Sequence, residues 1–352
     1  MVYTLARERS DGVEEEIHLW LARQIEGGNL PSFPERSALP HNTGTMAKFW
    51  SLRGLSWREL AKRTCRKSWE DEIFGQSARL ALYFFFALFP VLLLVILLGR
   101  SAGAGSELLG AFVDSFEQVL PPEASALVAN TARDLNERAV LGAGAILAGV
   151  VAIWGALNGT WAIMAGLNKA YEVAEERPSW RVLSIAIGLT ISLGVLGVIA
   201  LAAGHYGHRA EDKVSQYLGA PAHFGFLWHL MHWAIIVALL ALSFAVLYRF
   251  GPNLKDRRWQ WSIPGAVVAV TLWLASTLLL RLYEQYFSSS QRIYGELNAV
   301  ATLLLWLYLT GAAIFVGGEA NSEIEKAAAQ AGHSDVRKAG ERRSGGEHNP
   351  GS

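Results

Sequence analysis

Six uncharged, apolar runs dominate this chain, and each is long enough to cover the hydrocarbon core of a bilayer, which takes about 20 helical residues. Apolar helices in the cores of water-soluble proteins are shorter. Lipid offers no partner to backbone polar groups, so each run must satisfy its own hydrogen bonds as a helix. The runs are 80–99, a stretch within 140–167, 182–204, about 224–248, 262–280 and 297–318.

The sequence therefore predicts an all-α fold, a polytopic membrane bundle of six transmembrane helices in residues 78–325. The runs lack the alternation of apolar and polar residues that is typical of strands. Residues 46–77 are predicted to be a cytoplasmic amphipathic segment, and residues 326–352 a disordered cytoplasmic tail, because they are rich in Ala, Gly, Ser and charge. For residues 1–45 we expect either a disordered extension or a mis-assigned start, with translation beginning at Met46.

The basic residues of the connecting segments indicate how the bundle is oriented. Lys and Arg accumulate in short loops on the cytoplasmic side of a membrane. Segments 48–79, 169–181, 249–258 and 326–343 together hold twenty Lys and Arg, whereas the alternate segments hold seven. Six spans place all four rich segments on one side. Both termini are therefore predicted to be cytoplasmic.

Two segments outside the runs have helical periodicity. In residues 56–69, Ser56 and Glu59 fit a capping box, and apolar and basic residues divide between two faces. This pattern predicts an amphipathic interfacial helix that lies either on the membrane surface or against the bundle. Residues 101–138 predict an external helical hairpin between spans one and two, interrupted at Pro121 and Pro122. It would serve as a lid or as a packed cap.

Small, polar and helix-bending residues within the runs are candidates for lining a pathway or for packing helices. Pro90 removes a backbone hydrogen bond in the middle of the first run. Gly155 and Gly159 form a GxxxG element, which lets two helix backbones approach closely, and Asn158 adds a polar group beside it. Helix packing is the favoured interpretation, with substrate lining as the alternative.

The sequence offers no sign of catalytic or cofactor chemistry. Its single cysteine, Cys65, excludes a disulfide framework and a Cys-based metal cluster. Phosphate-binding loops, nucleophile elbows and HExxH pairs do not occur. The formal net charge of zero provides no general attraction for nucleic acid. We expect no catalytic residues, no metal and no cofactor, with membrane lipids as the partners and a homo-oligomer left open.

Several segments in order resemble the YihY/virulence factor BrkB family of bacterial inner-membrane proteins, once labelled ribonuclease BN-like. They are LALYFFFALFP at 80–90, GLNKAY at 166–171, EERP at 175–178, YRFGPN at 248–253, PGA at 264–266, LWLY at 305–308 and GEAN at 318–321. The resemblance covers about residues 48–325. It implies a six-span bundle in the bacterial inner (plasma) membrane with both termini inside.

Polar residues that match family positions all fall at the predicted cytoplasmic ends of spans two, four and six. They are Asn168, Tyr171, Glu175, Arg177, Pro252, Asn253, Glu319 and Asn321. We expect them to meet in one polar layer, in which Glu319 pairs with Arg177 or Arg249. The layer would either fix the helix ends through ion pairs or act as an inner gate for an amphipathic substrate.

The function that these features favour is transport, of the flippase kind, of a lipid or another amphipathic envelope component. The alternative is a non-transporting membrane scaffold in envelope organisation, and a membrane-bound enzyme comes third. The ribonuclease label gains no support, because the predicted cytoplasmic loops carry scattered basic residues rather than clustered carboxylates or acid–base histidines.

Overall fold

The computed structural model describes residues 56–101, 103, 105–138, 143–218, 223–254, 259–287 and 296–330. The predictions for residues 1–45 and 331–352 lie outside this part of the chain. Most of the described residues are α-helical, and none forms a strand. The helices are α1 Trp57–Glu70, α2 Ile73–Ser101, α3 Gly105–Val119, α4 Pro122–Arg138, α5 Ala143–Ala170, α6 Ser179–Leu218, α7 His223–Phe250, α8 Ile263–Phe287 and α9 Glu296–Gln330, with a short 3-10 turn at Trp259–Trp261.

Six of these helices are long and apolar enough to cross a membrane, which confirms the six predicted spans. The spanning segments are Ile73–Ser101, Gly149–Ala170, Ser179–Gly207, Leu227–Phe250, Ile263–Tyr286 and Leu297–Gln330. The last is longer than predicted, because α9 continues through the predicted boundary at 325 to Gln330. Residues 326–330 are thus helical, although they fall in the tail that we expected to be disordered.

The six spans form a ring in which each contacts the next. Helix α2 packs against α5, α5 against α6, α6 against α7, α7 against α8, and α8 against α9, which returns to α2. Helix α9 also contacts α5, so the ring is bridged. Its largest apolar core joins Leu80, Leu167, Tyr248 and Phe315, all nearly or fully buried. We call the end of the bundle where α5, α7 and α9 finish and α8 begins the Glu319 end.

Glycines set the closest approaches between the spans. A Cβ atom added to Gly155 would lie 2.9 Å from that of Ala87 in α2, and one added to Gly159 would lie 2.9 Å from the ring of Phe84. A Cβ on Gly265 of α8 would lie 2.2 Å from the Gly317 carbonyl oxygen of α9. A larger side chain at Gly155 or Gly265 would require movement of a helix, whereas one at Gly159 would require the Phe84 ring to shift.

Helix α1 packs its buried face against the last turns of α9. Leu60 forms a small apolar cluster with Trp261, Ile324 and Ala328. Ser56 caps the helix by accepting a hydrogen bond from the Arg58 amide at 3.3 Å. The other half of the predicted capping box is not formed, because the Glu59 carboxylate pairs with Arg63 at 2.7 Å instead.

Helices α3 and α4 lie at the opposite end of the bundle, where side chains of α8 and α9 hold the bend between them. The Arg281 guanidinium donates to the carbonyl of Leu120 at 3.1 Å and also to that of Gln118, both at the end of α3. Glu284 accepts from the Glu123 amide at 3.4 Å, and Asn298 donates to the Glu123 carboxylate. The bend is therefore fixed to two spans.

Candidate functional site

Four of the sequence-predicted site residues form one hydrogen-bonded group at the Glu319 end, which we call the Asn168 network: Asn168, Glu175, Arg177 and Asn253. Asn168, in the last turn of α5, donates to Glu175 at 2.8 Å and accepts from the Asn253 amide at 2.7 Å. The Asn253 side chain donates to the Ala174 carbonyl at 3.0 Å. The network thus ties the segment after α5 to the segment after α7.

Arg177 closes this network with a two-pronged ion pair. Its Nε and one terminal nitrogen donate to the two oxygens of Glu175 at 2.7 and 2.6 Å. The same terminal nitrogen donates to the Gly251 carbonyl at 3.0 Å, and the Arg177 side chain is only 7% exposed. Paired donors in this planar arrangement fix position as well as charge.

The pKa of Glu175 reflects the balance between burial and its partners. Burial by itself raises this pKa, but the hydrogen bonds from Arg177 and Asn168 outweigh it and hold the pKa below its ordinary value of 4.5. The carboxylate is therefore charged at neutral pH, and the ion pair is intact.

Tyr171 and Pro252 lie beside the network, and both are buried. Tyr171 is fully buried among apolar residues, and its amide donates to Leu167 as α5 ends. The next residue, Glu172, has φ of 52°, a left-handed conformation that turns the chain away from the helix axis. This turn brings Val173 back to donate to the Asn168 carbonyl at 2.9 Å.

Glu319 occupies a different environment, and the predicted pairing of this residue is wrong. It pairs with neither Arg177, which is held by Glu175, nor Arg249. Its side chain is fully buried, with an exposure of 0%. Neither carboxylate oxygen has a hydrogen-bond partner in the described part of the chain. The group faces Asp71, with Lys67 and Lys326 as the nearest cations.

The two lysines bridge α1 and α9 through Glu172. Lys67 lies 2.7 Å from Glu172 and 3.5 Å from Asp71. Lys326 lies 3.1 Å from Glu172 and 3.0 Å from Glu323. The bond from Lys67 lowers the pKa of Glu172 more than burial raises it, and Lys326 adds to this effect. We call Glu319, Asp71, Lys67, Glu172, Glu323 and Lys326 the Glu319 cluster.

Sequence reasoning missed the other members of this cluster. Lys67 and Asp71 are spaced four apart at the end of α1, which is the one local signal that an ion pair would form. The spacing of Lys67 and Asp71 does not predict their contacts with Glu172 or Glu319. Those contacts depend on how α1 docks against the bundle.

Asn321, the last residue of the predicted polar layer, holds the start of α8. Its side-chain oxygen accepts from the Gly265 amide at 2.6 Å, and its nitrogen donates to the Ser262 carbonyl at 3.3 Å. Buried carboxamides that satisfy the ends of a neighbouring helix fix its position. The eight predicted residues thus divide into the Asn168 network, two buried residues beside it, Glu319 with its lysines, and this α8 contact.

The residues predicted to line or to pack within the spans make contacts between and within helices. Gly155 and Gly159 lie against α2, as described above. Asn158 donates to the Trp154 carbonyl of its own helix at 2.7 Å. Pro90 lies inside α2, which continues from Ile73 to Ser101. Within the described residues, no group of three or more His, Cys, Asp or Glu is arranged to hold a metal ion.

Six apolar spans closed in a ring, with polar side chains joined at one end, define a polytopic α-helical membrane protein. The model of one protein family, Virulence factor BrkB, matches residues 64–342. The chain therefore belongs to this family, as the sequence resemblance predicted.

Similar curated proteins come from several bacteria. The putative ribonuclease-like protein YfkH of Bacillus subtilis is 32% identical over 255 residues, which cover 72% of this chain and 90% of the relative. UPF0761 membrane proteins of Xanthomonas campestris and Xanthomonas axonopodis are 25% identical over 270 residues. These cover 74% of this chain but 59% of each relative, so the match spans little more than half of the Xanthomonas proteins. No solved structure matches the chain.

Proposed function

We propose that the protein is a flippase-like transporter of the bacterial inner membrane that moves a lipid or another amphipathic envelope component. In this proposal the Asn168 network is the inner gate. The observation that carries it is the partly buried, hydrogen-bonded link between the ends of α5 and α7, two spans that are separated in the ring by α6. A link of this kind holds the end of a bundle closed and can be broken without unfolding a helix.

The charge at the Glu319 end supports a cytoplasmic position for the gate. Lys67, Lys169, Arg177 and Lys326 all lie there. Basic residues near span ends favour the cytoplasmic side. The proposed orientation therefore has both termini in the cytoplasm and the bend between α3 and α4 on the external side, fixed to α8 and α9 as a packed cap.

The polar and apolar residues at and near the contact between α5 and α6 favour a lipid-like substrate. Thr160 of α5 and Thr190 of α6 share a hydrogen bond of 2.8 Å across this contact. Towards the other end of the bundle, Val150 and Trp154 of α5 and Val198 of α6 are at least 58% exposed. A polar pair between spans, bordered by apolar surface that acyl chains can cover, suits a molecule with a head group and a tail.

A ribonuclease, which the name of the Bacillus relative suggests, fits the site less well. Nuclease chemistry needs carboxylates or histidines free to bind a metal or to transfer a proton. At the Glu319 end, Glu175 is held by Arg177, and Glu172 by two lysines. We therefore propose that the protein is not an enzyme.

Lipid movement in reconstituted vesicles tests the transport proposal. We expect liposomes containing the purified protein to move a fluorescent phospholipid between leaflets faster than empty liposomes. Replacing Arg177 by Gln removes the ion pair with Glu175 that keeps the gate closed, so Arg177→Gln should raise the rate several-fold above wild type. Dithionite quenching of the outer-leaflet dye measures the rate.

Arg181→Gln is the matched control, because Arg181 lies only four residues after Arg177, in the first turn of α6, and sits over the exposed Trp180 ring, 5.4 Å from its centroid. It should match wild type. Equal rates for wild-type and empty vesicles would overturn the transport proposal, and co-purification of a stoichiometric protein partner in that case would favour the membrane scaffold.

A further inference from the structure

Glu319 carries a buried carboxyl group whose oxygens accept no hydrogen bond within the described residues. Its side chain has 0% exposure in the middle of α9. The carboxyl that faces it, Asp71, also has a buried oxygen without a hydrogen-bond partner, and Lys67 lies 3.5 Å from that oxygen. Two carboxyl groups therefore face each other across the junction of α1 and α9.

The nearby cations are already engaged by other acids. Lys67 makes its short contact, 2.7 Å, with Glu172 and a longer one, 3.5 Å, with Asp71. Lys326 is shared between Glu172 and Glu323. The remaining cation on this face of α1, Arg63, is bonded to Glu59. The Glu319 cluster thus holds four carboxyl groups and two lysines.

An ionised carboxylate in such a place would lack both a cation and a hydrogen-bond donor. Burying an uncompensated charge costs far more than burying the neutral acid, so a group in this position binds a proton. A proton also removes the repulsion between Glu319 and Asp71, and it supplies the donor that lets one carboxyl bond to the other.

We propose that Glu319 and Asp71 form a proton-binding site, and that the bound proton holds α1 against α9. The site is closed by α1, because Asp71 is the C-cap of that helix and Lys67 lies in its last turn. When α1 separates, Glu319 meets water and releases the proton. This inference is independent of the transport proposal, since it concerns only proton binding and the docking of one helix.

Linkage sets the direction of the pH dependence. The docked form holds one proton that the separated form loses, so raising the pH favours separation. For a single proton, the docking equilibrium should weaken by up to roughly tenfold per pH unit. Glu172 is paired with Lys67 and Lys326, which lower its pKa, so it does not supply this dependence.

The native Cys65 provides the probe, because it lies on α1, is exposed, and is the single cysteine of the chain. A nitroxide attached to Cys65, in protein reconstituted into lipid nanodiscs, reports the mobility of α1 through its electron spin resonance spectrum. We expect the mobile fraction to grow as the pH is raised from mildly acidic to alkaline. Glu319→Gln mimics the protonated acid and should stay docked at every pH.

Glu284→Gln is the matched control, since Glu284 is also a buried acid in a span but lies at the other end of the bundle. It should keep the full pH response of the Cys65 label. A wild-type label whose mobility is independent of pH would overturn the proposal, as would a folded Glu319→Gln variant that keeps the wild-type response.

Infrared spectroscopy tests the proton itself and does not depend on a variant. The carbonyl stretch of a protonated carboxylic acid in the wild-type protein should weaken over the same pH range in which the Cys65 label becomes mobile. A mobile fraction that rises with no loss of this band would mean that another group titrates, and the site would be rejected.

Discussion

Individual side chains at the Glu319 end show where sequence reasoning succeeds. Eight residues were predicted to meet in one polar layer, and four of them, Asn168, Glu175, Arg177 and Asn253, form one network. Two of its partners, Glu175 and Arg177, are two residues apart, so their pairing is local. Glu319 was placed correctly at the end of an apolar run. Its burial depends on α1, about 250 residues earlier in the chain, and no local pattern encodes that contact.

Acid should weaken the Asn168 network through Glu175. The pKa of Glu175 is lowered in the folded protein, so the unfolded chain binds more protons, and stability contributed by this group is lost as the pH falls below the ordinary value of 4.5. Glu175→Gln should therefore flatten the loss of thermal stability on the acid side, measured by unfolding in detergent as a function of pH.

The neighbouring, exposed Glu176 provides the comparison for that measurement. Glu176→Gln should retain the wild-type acid dependence. If Glu175→Gln and wild type lose stability in parallel as the pH falls, the charge on Glu175 does not stabilise the fold.

At the scale of helices, the apolar runs predicted which segments span, and the glycines predicted where two of them touch. Gly155 and Gly159 pack against α2, which favours the packing interpretation of the GxxxG element. The tight approach between Gly265 and Gly317 was not predicted, because no spacing rule relates glycines on separate helices. The added length of α9 was also missed. The charged residues at its end resemble a polar tail in the sequence, which does not show that α1 packs against them.

Because α8 approaches α9 closely at Gly265, we expect one added methyl group at this position to destabilise the protein. In Gly265→Ala, the new Cβ would lie 2.2 Å from the Gly317 carbonyl oxygen and 2.4 Å from the Asn321 side chain. Because backbone cannot move aside, we expect a loss of about 1–3 kcal/mol in the free energy of unfolding. Chemical unfolding in mixed micelles measures this change.

Gly188→Ala on α6 serves as the control, because an added Cβ there meets nothing within 4 Å. It should be neutral or stabilising by up to about 1 kcal/mol, as expected for Gly to Ala in a helix. Similar losses for both variants would indicate that the α8–α9 approach is not tight.

At the scale of the whole molecule, hydropathy correctly predicted the number of spans, whereas the orientation that the charge of the loops indicates stays a prediction. The order of the ring follows chain order, so each span packs against the one before it, and α9 closes the circle on α2. The bridging contact of α9 with α5 could not be predicted, because it depends on Gly166, where an added Cβ would lie 2.3 Å from Phe315.

Topology reporters should place the Glu319 end in the cytoplasm. A phosphatase fused after Gln330 should be inactive, because the enzyme folds only outside the cytoplasm, whereas insertion between α2 and α3 should give activity. The basic residues near Lys67 and Lys326 are the physical reason. Enzyme activity measured on intact cells distinguishes the two sides, and an active fusion after Gln330 would reverse the orientation.

Helix α9 is longer than a membrane is thick. Its 35 residues extend about 52 Å, whereas the hydrocarbon core measures roughly 30 Å. Helix α9 contains no proline that would kink it. Its final turns and the turns inside the lipid therefore move together as one rigid helix. A force applied at Gln330 would therefore be transmitted along one continuous helix to the contacts that α9 makes with α2, α5 and α8.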